Sequence, residues 1–213
     1  MRPLVLRVTG RRDRFELRPD PATGRFDETQ LAVAREAFRY REDQATTDVH
    51  PRLLELIYRA VTHFEVPYVT VVSGYRTTRA TSRHNQGRAM DFVLPGVSDR
   101  GLAAFLKRQG FVGVGIYPLS GFVHLDVRER SFFWVDSSAP GRRSRVRRVA
   151  PAEALRADRV ARQRGELSVP DIGDADEGEG DAEIVDGEGA NQNDAADSAD
   201  APTRARPANE PPT

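Results

Sequence analysis

The chain has 213 residues and no cysteine. That excludes a disulfide framework and any thiolate metal site, so a zinc ion here would rest on histidines and carboxylates. The absence fits an exported protein without proving one. Long apolar runs are also missing. No stretch approaches 18 consecutive apolar residues, so no segment reads as a membrane-spanning helix. The opening "MRPLVLRVTGRR" has one basic residue and then a short apolar run. This is too short for the apolar region of a secretory signal, and no small-residue cleavage site follows. The expectation is that the protein is not exported by that route or that the chain begins after its signal. Histidine is scarce, with only His50, His63, His84 and His124.

What is abundant is charge. Formal net charge is zero, with 38% hydrophobic and 30% charged residues, which is polar for a fully packed domain. The balance hides a split. Residues 165–213 carry 14 acidic and 2 basic side chains, and residues 1–164 carry 18 acidic and 30 basic. A basic body with an acidic tail points to a charged partner, although an arginine-rich surface alone gives the same count. The run "GRRSRVRR" lacks interleaved aromatics and can pair with the acidic tail, so nucleic acid is not the expected partner.

Periodicity divides the chain. "LVLRV" (Leu4 to Val8) and "RFELR" (Arg14 to Arg18) alternate as a β-hairpin should. "DETQLAVAREAFRY" reads as a helix capped by Asp27, with Gln30 three residues on and Leu31, Ala34 and Phe38 at helical spacing. "HPRLLELIYRAVTHF" is a second helix, with Pro51 in its first turn and Leu53, Leu54, Ile57, Val61 and Phe64 on one stripe. Strands follow at "YVTVV" (Tyr68 to Val72) and "AMDFVL". A third helix runs from its cap at Ser98 to a stop at Gly110. "GVGIYP" and "FVHLDVR" then read as strands joined by a Ser-Gly turn. The expected class is α+β, with a mostly antiparallel central sheet and flanking helices. After Trp134 the pattern decays. The expected organisation is a domain over residues 1–140, a basic and partly helical segment over 141–164, and an acidic disordered tail over 165–213. The tail has too few large apolar residues to offset chain entropy.

The chemistry concentrates in "SRHNQGRAMD", residues 82–91. His84 and Asp91 are seven apart, which suits a loop returning into a strand, and Gly87 lets that loop turn. A catalytic zinc commonly takes three protein ligands. Of the other histidines, His50 begins a helix as a surface or capping residue, and His63 falls beyond its helix's apolar stripe. His124 lies in "FVHLD", where alternation puts Phe122, His124 and Asp126 on one face. A histidine in a strand is more often a hydrogen-bonded core or surface residue than a ligand, so the residue types alone leave both readings open.

A larger pattern bears on the choice. "SGYRTTRATSRHNQGRAMDF", followed about 30 residues later by "GVGIYPLSGFVHLDVRERSFFW", resembles the LAS group of zinc peptidases. That group includes D-Ala-D-Ala carboxypeptidases, VanX-like dipeptidases and peptidoglycan endopeptidases. The nearest branch is the YcbK-like (MepK) murein endopeptidase family. The pattern S-x-H-x-x-G-x-A-x-D falls on Ser82, His84, Gly87, Ala89 and Asp91, and all five positions match. The resemblance covers residues 45–136, with the motif core at 68–136. It implies a hedgehog/D-Ala-D-Ala peptidase-like fold and Zn2+ held by His84, Asp91 and His124. It implies that Arg76 faces the substrate carbonyl, where a cation can stabilise a developing oxyanion. Zinc would acidify a water and polarise the scissile carbonyl. Ser82 and Tyr117 would line the substrate cleft, with Tyr75 and Tyr117 otherwise read as wall aromatics.

One departure stands out. Many members place a general base before the last ligand, and the matching positions here are Gly121 and Phe122, neither of which takes a proton. Asp126 is the remaining candidate, as base, as the partner that holds the His124 ring or as an added ligand, with the first two favoured. The expected substrate is peptidoglycan peptides, acted on by a monomer in the periplasm or cell envelope. A zinc-containing peptidoglycan-binding module with weak or no turnover is the alternative.

Overall fold

The computed structural model describes residues 2–77, 81–140, 142 and 144–172. Twelve elements follow in chain order: β1 (Leu4–Val8), β2 (Arg14–Leu17), α1 (Glu28–Phe38), α2 (Pro51–Phe64), β3 (Val69–Ser73), β4 (Ala89–Val93), α3 (Asp99–Lys107), β5 (Val112–Tyr117), β6 (Phe122–Val127), β7 (Phe132–Asp136), β8 (Val146–Arg148) and α4 (Pro151–Gln163).

Local chemistry sets the helix starts. Asp27 accepts from the Gln30 amide, and Ser98 accepts from the Gly101 amide, so each satisfies a donor that the first helical turn leaves unpaired. His50 caps α2 through its ring, ahead of Pro51, whose missing N–H costs nothing at a first helical position. Helix α2 buries Leu53, Leu54, Leu56, Ile57, Ala60 and Val61, a face wide enough to anchor it on the sheet.

The eight strands form one sheet in the order β2-β1-β3-β4-β6-β5-β7-β8. The sheet is mostly antiparallel, as expected, but not purely so. β1 pairs with β3 and β5 with β7 in parallel, while the remaining neighbours run antiparallel. The parallel pairs arise because the helical segment α1–α2 separates β1 from β3, and the β6 hairpin return separates β5 from β7. Each intervening stretch carries the chain back to the same end of the sheet before it pairs. Two strands lie beyond the sequence reading. β7 opens with Phe132, Phe133 and Trp134, all apolar and buried on both faces, which gives no alternation to detect. β8 sits inside the arginine run, where composition masks a three-residue edge strand.

One face of the sheet makes the main core. Val71, Met90, Phe92, Val114, Val123, Leu125 and Phe133 pack there with the apolar sides of α2 and α3. Helix α4 is pinned by buried Asp158, which accepts from the Phe111 and Ser131 amides and the Ser131 hydroxyl. The tail was expected to start at residue 165, yet residues 165–172 pack against the domain. Val169 is buried in the core cluster, and Glu166 pairs with Arg52 and Arg59, both at 2.6 Å. The rest of that expected tail, residues 173–213, lies outside the described residues. Among the described residues no helix is long and apolar enough to cross a membrane.

Candidate metal centre

The other face of the sheet carries the polar groups, and the strand register explains how. Asp91 on β4 stands opposite Ser73 on β3 and opposite His124 on β6, and His124 stands opposite Gly115 on β5, which pairs with Trp134 on β7. Ser73, Asp91, His124, Gly115 and Trp134 therefore form one row across five neighbouring strands. The next row holds Ala89, Asp126, Gly113 and Phe132. Period-two alternation puts both rows on the face away from the helices.

The two glycines of "GVG" make room for these rows. A Cβ on Gly113 would lie 2.0 Å from Asp126 Oδ2, and one on Gly115 would lie 2.3 Å from Trp134 Cε2. Their strand positions are flat so that a carboxylate and an indole can cross them. Gly87 serves differently. It has φ +65°, and a Cβ there would lie 1.9 Å from the Asp48 carbonyl, so only glycine carries the loop round to β4.

That loop brings His84 over the row. His84 Nε2, His124 Nδ1 and the Asp91 carboxylate are buried donors, and one ligand atom from each residue lies within 4.8 Å of the others. His84 Nδ1 is 2.5 Å from the Gly74 carbonyl, which assigns the proton to Nδ1 and turns Nε2 toward Asp91 Oδ1 at 3.5 Å. His124 is held in the opposite sense. Its Nε2 is 3.0 Å from Asp126 Oδ2, and its Nδ1 is 2.9 Å from Asp91 Oδ1. Each ring thus has one nitrogen anchored by an oxygen acceptor and one nitrogen turned inward. This is the arrangement that fixes tautomer and orientation in metal-ligating histidines. Two neutral imidazoles and a carboxylate also suit a divalent transition metal such as zinc. The residues fit the ion.

Arg76 lies at the lip with its side chain one-third exposed. Its Nε donates to Ser73 Oγ at 2.7 Å and its Nη2 donates to Asp91 Oδ2. Asp91 therefore splits its oxygens, Oδ1 to the histidines and Oδ2 to Arg76. Burial works to raise the Asp91 carboxyl, but its interactions with His84, with the Arg76 guanidinium and with His124 hold it well below the usual carboxylate range.

Asp126 is fully buried and more tightly enclosed. Arg128 donates Nε to Oδ1 at 2.7 Å and Nη2 to Oδ2, and Arg83 Nε lies 3.5 Å from Oδ1. Burial again opposes ionisation, and the Arg128 charge and hydrogen bonds, the His124 hydrogen bond and the Arg83 charge outweigh it. Ser82 uses its hydroxyl to accept the His84 amide at 3.3 Å, shaping the loop. Tyr117 stacks on Phe122 with centroids 4.5 Å apart and accepts from Trp134 Nε1 at 3.2 Å. Trp134 backs the His124 ring at 5.0 Å. Of the remaining histidines, His50 is the α2 cap, and exposed His63 stacks on Phe105 at 4.4 Å.

Sequence reasoning did not single out Arg83, Arg128 or the Gly74 carbonyl. Arg128 follows the "HLD" stripe by alternation, two residues after Asp126, and that spacing was the available signal. Arg83 and Gly74 had none, because an arginine count does not tell which guanidinium points inward.

The family profile described as "Peptidoglycan L,D-endopeptidase MepK" matches residues 3–131. The chain is 31% identical over 143 residues to the peptidoglycan L,D-endopeptidase MepK of Escherichia coli and to that of Shigella flexneri, covering 59% of this chain and 77% of each relative. No solved structure matches. The matched span contains β1 through β6 and all three buried donors. The chain belongs to the MepK family of peptidoglycan L,D-endopeptidases.

Proposed function

We propose that the protein is a zinc-dependent peptidase that cuts peptide cross-links in peptidoglycan. The observation that carries this reading is the convergence of His84, Asp91 and His124, all buried, within 4.8 Å. Bound there, zinc supplies Lewis acidity for a scissile carbonyl and for water. The chain's own residues do the rest. His84 and His124 present one nitrogen each because Gly74 and Asp126 hold the other. Arg76, at the lip, places a guanidinium where a carbonyl oxygen gains negative charge, and a fixed cation in that position lowers the barrier. Trp134 and Tyr117 wall the site and keep water off the His124 ring.

Asp126 is assigned to positioning rather than to proton transfer. Both its oxygens already accept hydrogen bonds from Arg128, one also from His124, and none of its surface is exposed. The relatives' name carries over as an L,D bond in the cross-link, and the substrate implies the periplasm or cell envelope.

Metal content of wild type and His84→Ala, measured beside muropeptide release from purified sacculi, tests the proposal. Wild type is expected to bind one zinc and release L,D-cleaved products identifiable by mass spectrometry, and His84→Ala to do neither. A wild type that holds no metal and releases nothing overturns it. One observation favours a second reading. Gly121 and Phe122, the latter stacked on Tyr117, stand where many related peptidases carry a base. Retention on sacculi with zinc bound and an unchanged muropeptide profile would identify a binding module instead.

A further inference from the structure

Residues 165–172 lie beyond the family match and run along the back of the metal-binding loop as a strap. Glu166 ties it to α2 through Arg52 and Arg59. The Val169 amide donates to the Arg128 carbonyl at 3.3 Å. The Arg88 guanidinium donates to the Pro170 carbonyl at 2.6 Å, and the Gln86 amide to the Ile172 carbonyl at 3.5 Å. The strap thus touches the loop between His84 and Asp91 and the strand end beyond His124.

A charged contact between the strap and the site runs through Arg83. This guanidinium is 4% exposed, and it lies between two carboxylates. Nη2 donates to Asp171 Oδ1 at 2.9 Å, and Nε lies 3.5 Å from Asp126 Oδ1. Asp126 in turn accepts from His124 Nε2 at 3.0 Å. We infer that Asp171 is a positioning residue for the metal ligand His124, acting through Arg83 and Asp126.

The physical reason is a competition for one carboxylate. Asp126 already carries the full guanidinium of Arg128 and the imidazole of His124. Asp171 draws Arg83 toward the strap and holds it at ion-pair rather than hydrogen-bond distance from Asp126. Without that pull, Arg83 closes on Asp126 and weakens its hold on the His124 ring. The orientation and basicity of a ligating imidazole follow from its acceptor, so metal affinity falls. Asparagine in place of Asp171 keeps an acceptor oxygen at a one-third exposed position, and Arg83 keeps Asp126 as its counter-charge, so the substitution costs little folding stability.

This inference rests on the zinc reading, and one experiment separates the two. Zinc affinity is measured by chelator competition on the full chain for wild type, Asp171→Asn and Asp171→Glu. The melting midpoint of each metal-free protein is recorded beside it. Asp171→Asn should bind zinc about 3- to 10-fold more weakly, less than the 10- to 100-fold typical of a direct ligand partner. Its metal-free midpoint should move by less than about 3 °C. Asp171→Glu should restore most of the affinity. Wild-type zinc binding with an affinity unchanged within twofold in Asp171→Asn overturns the inference alone. So does a midpoint that falls in step with the affinity, or an affinity that Asp171→Glu leaves unrepaired. A wild type that binds no zinc overturns both readings together.

Discussion

Replacing Asp126 with asparagine probes the centre most directly, because the side chain keeps its shape and loses only its charge and one acceptor oxygen. Asp126 accepts from Arg128 twice and from His124 once, with Arg83 a further 3.5 Å neighbour. Arg128 and Arg83 are 3% and 4% exposed, so neither can replace the lost counter-charge with bulk water. Breaking one partner of a buried ion pair costs about 3–5 kcal/mol. Metal affinity should fall about 10- to 100-fold, or about 1.4–2.7 kcal/mol, because the His124 ring loses its strongest acceptor. Two measurements separate the effects. Urea unfolding of the metal-free proteins reads the first, and chelator competition reads the second. The full cost leaves a small domain marginal, so Asp126→Glu is the companion variant, keeping charge while shifting the oxygens. It should retain stability better than affinity. Asp126→Asn with native stability, native zinc affinity and no turnover would refute the positioning role and make Asp126 the base.

Two further outcomes follow from the fold. Gly115→Ala drives a Cβ into the Trp134 indole, an overpacking expected to cost about 1–3 kcal/mol and to shift the emission of the single tryptophan; unchanged emission and stability would mean that the sheet yields without cost. His50 is held below its usual pKa by burial and by the charges of Arg88 and Arg52. It therefore stays neutral in the folded protein while the unfolded chain takes up a proton near pH 6.5, so stability declines as pH falls through that value toward the folded pKa. His50→Asn keeps a capping side chain, and the metal-free variant should lose less stability than wild type between about pH 7 and 5; parallel profiles would refute the linkage.

The local signals in the sequence were strong where one turn of chain decides the outcome. Asp27, Pro51 and Ser98 marked helix starts because a capping oxygen or a missing N–H acts within three residues. The Ser82–Asp91 pattern and the later His124 named the three donors that the sheet brings together, since fixed spacing survives without a structure. The supporting shell was not legible. Arg128 clamps Asp126 from two residues along the same face, but that Arg83 also reaches Asp126, and that the Gly74 carbonyl holds His84, depends on the loop folding back over the sheet.

Long-range pairing likewise decided what composition could not. The two parallel strand pairs, the β8 edge within the arginine run and the return of residues 165–172 against the domain all join distant segments. For residues 165–172, the acidic composition was read as too polar to pack. The structure offers partners in Arg52, Arg59 and Arg83, together with a core site for Val169. The sequence by itself determined the candidate donor residues and the local elements, because those depend on residue chemistry and short-range backbone preference. Only the tertiary structure decided which nitrogen each histidine presents, because that is set by the acceptor the fold places behind each ring.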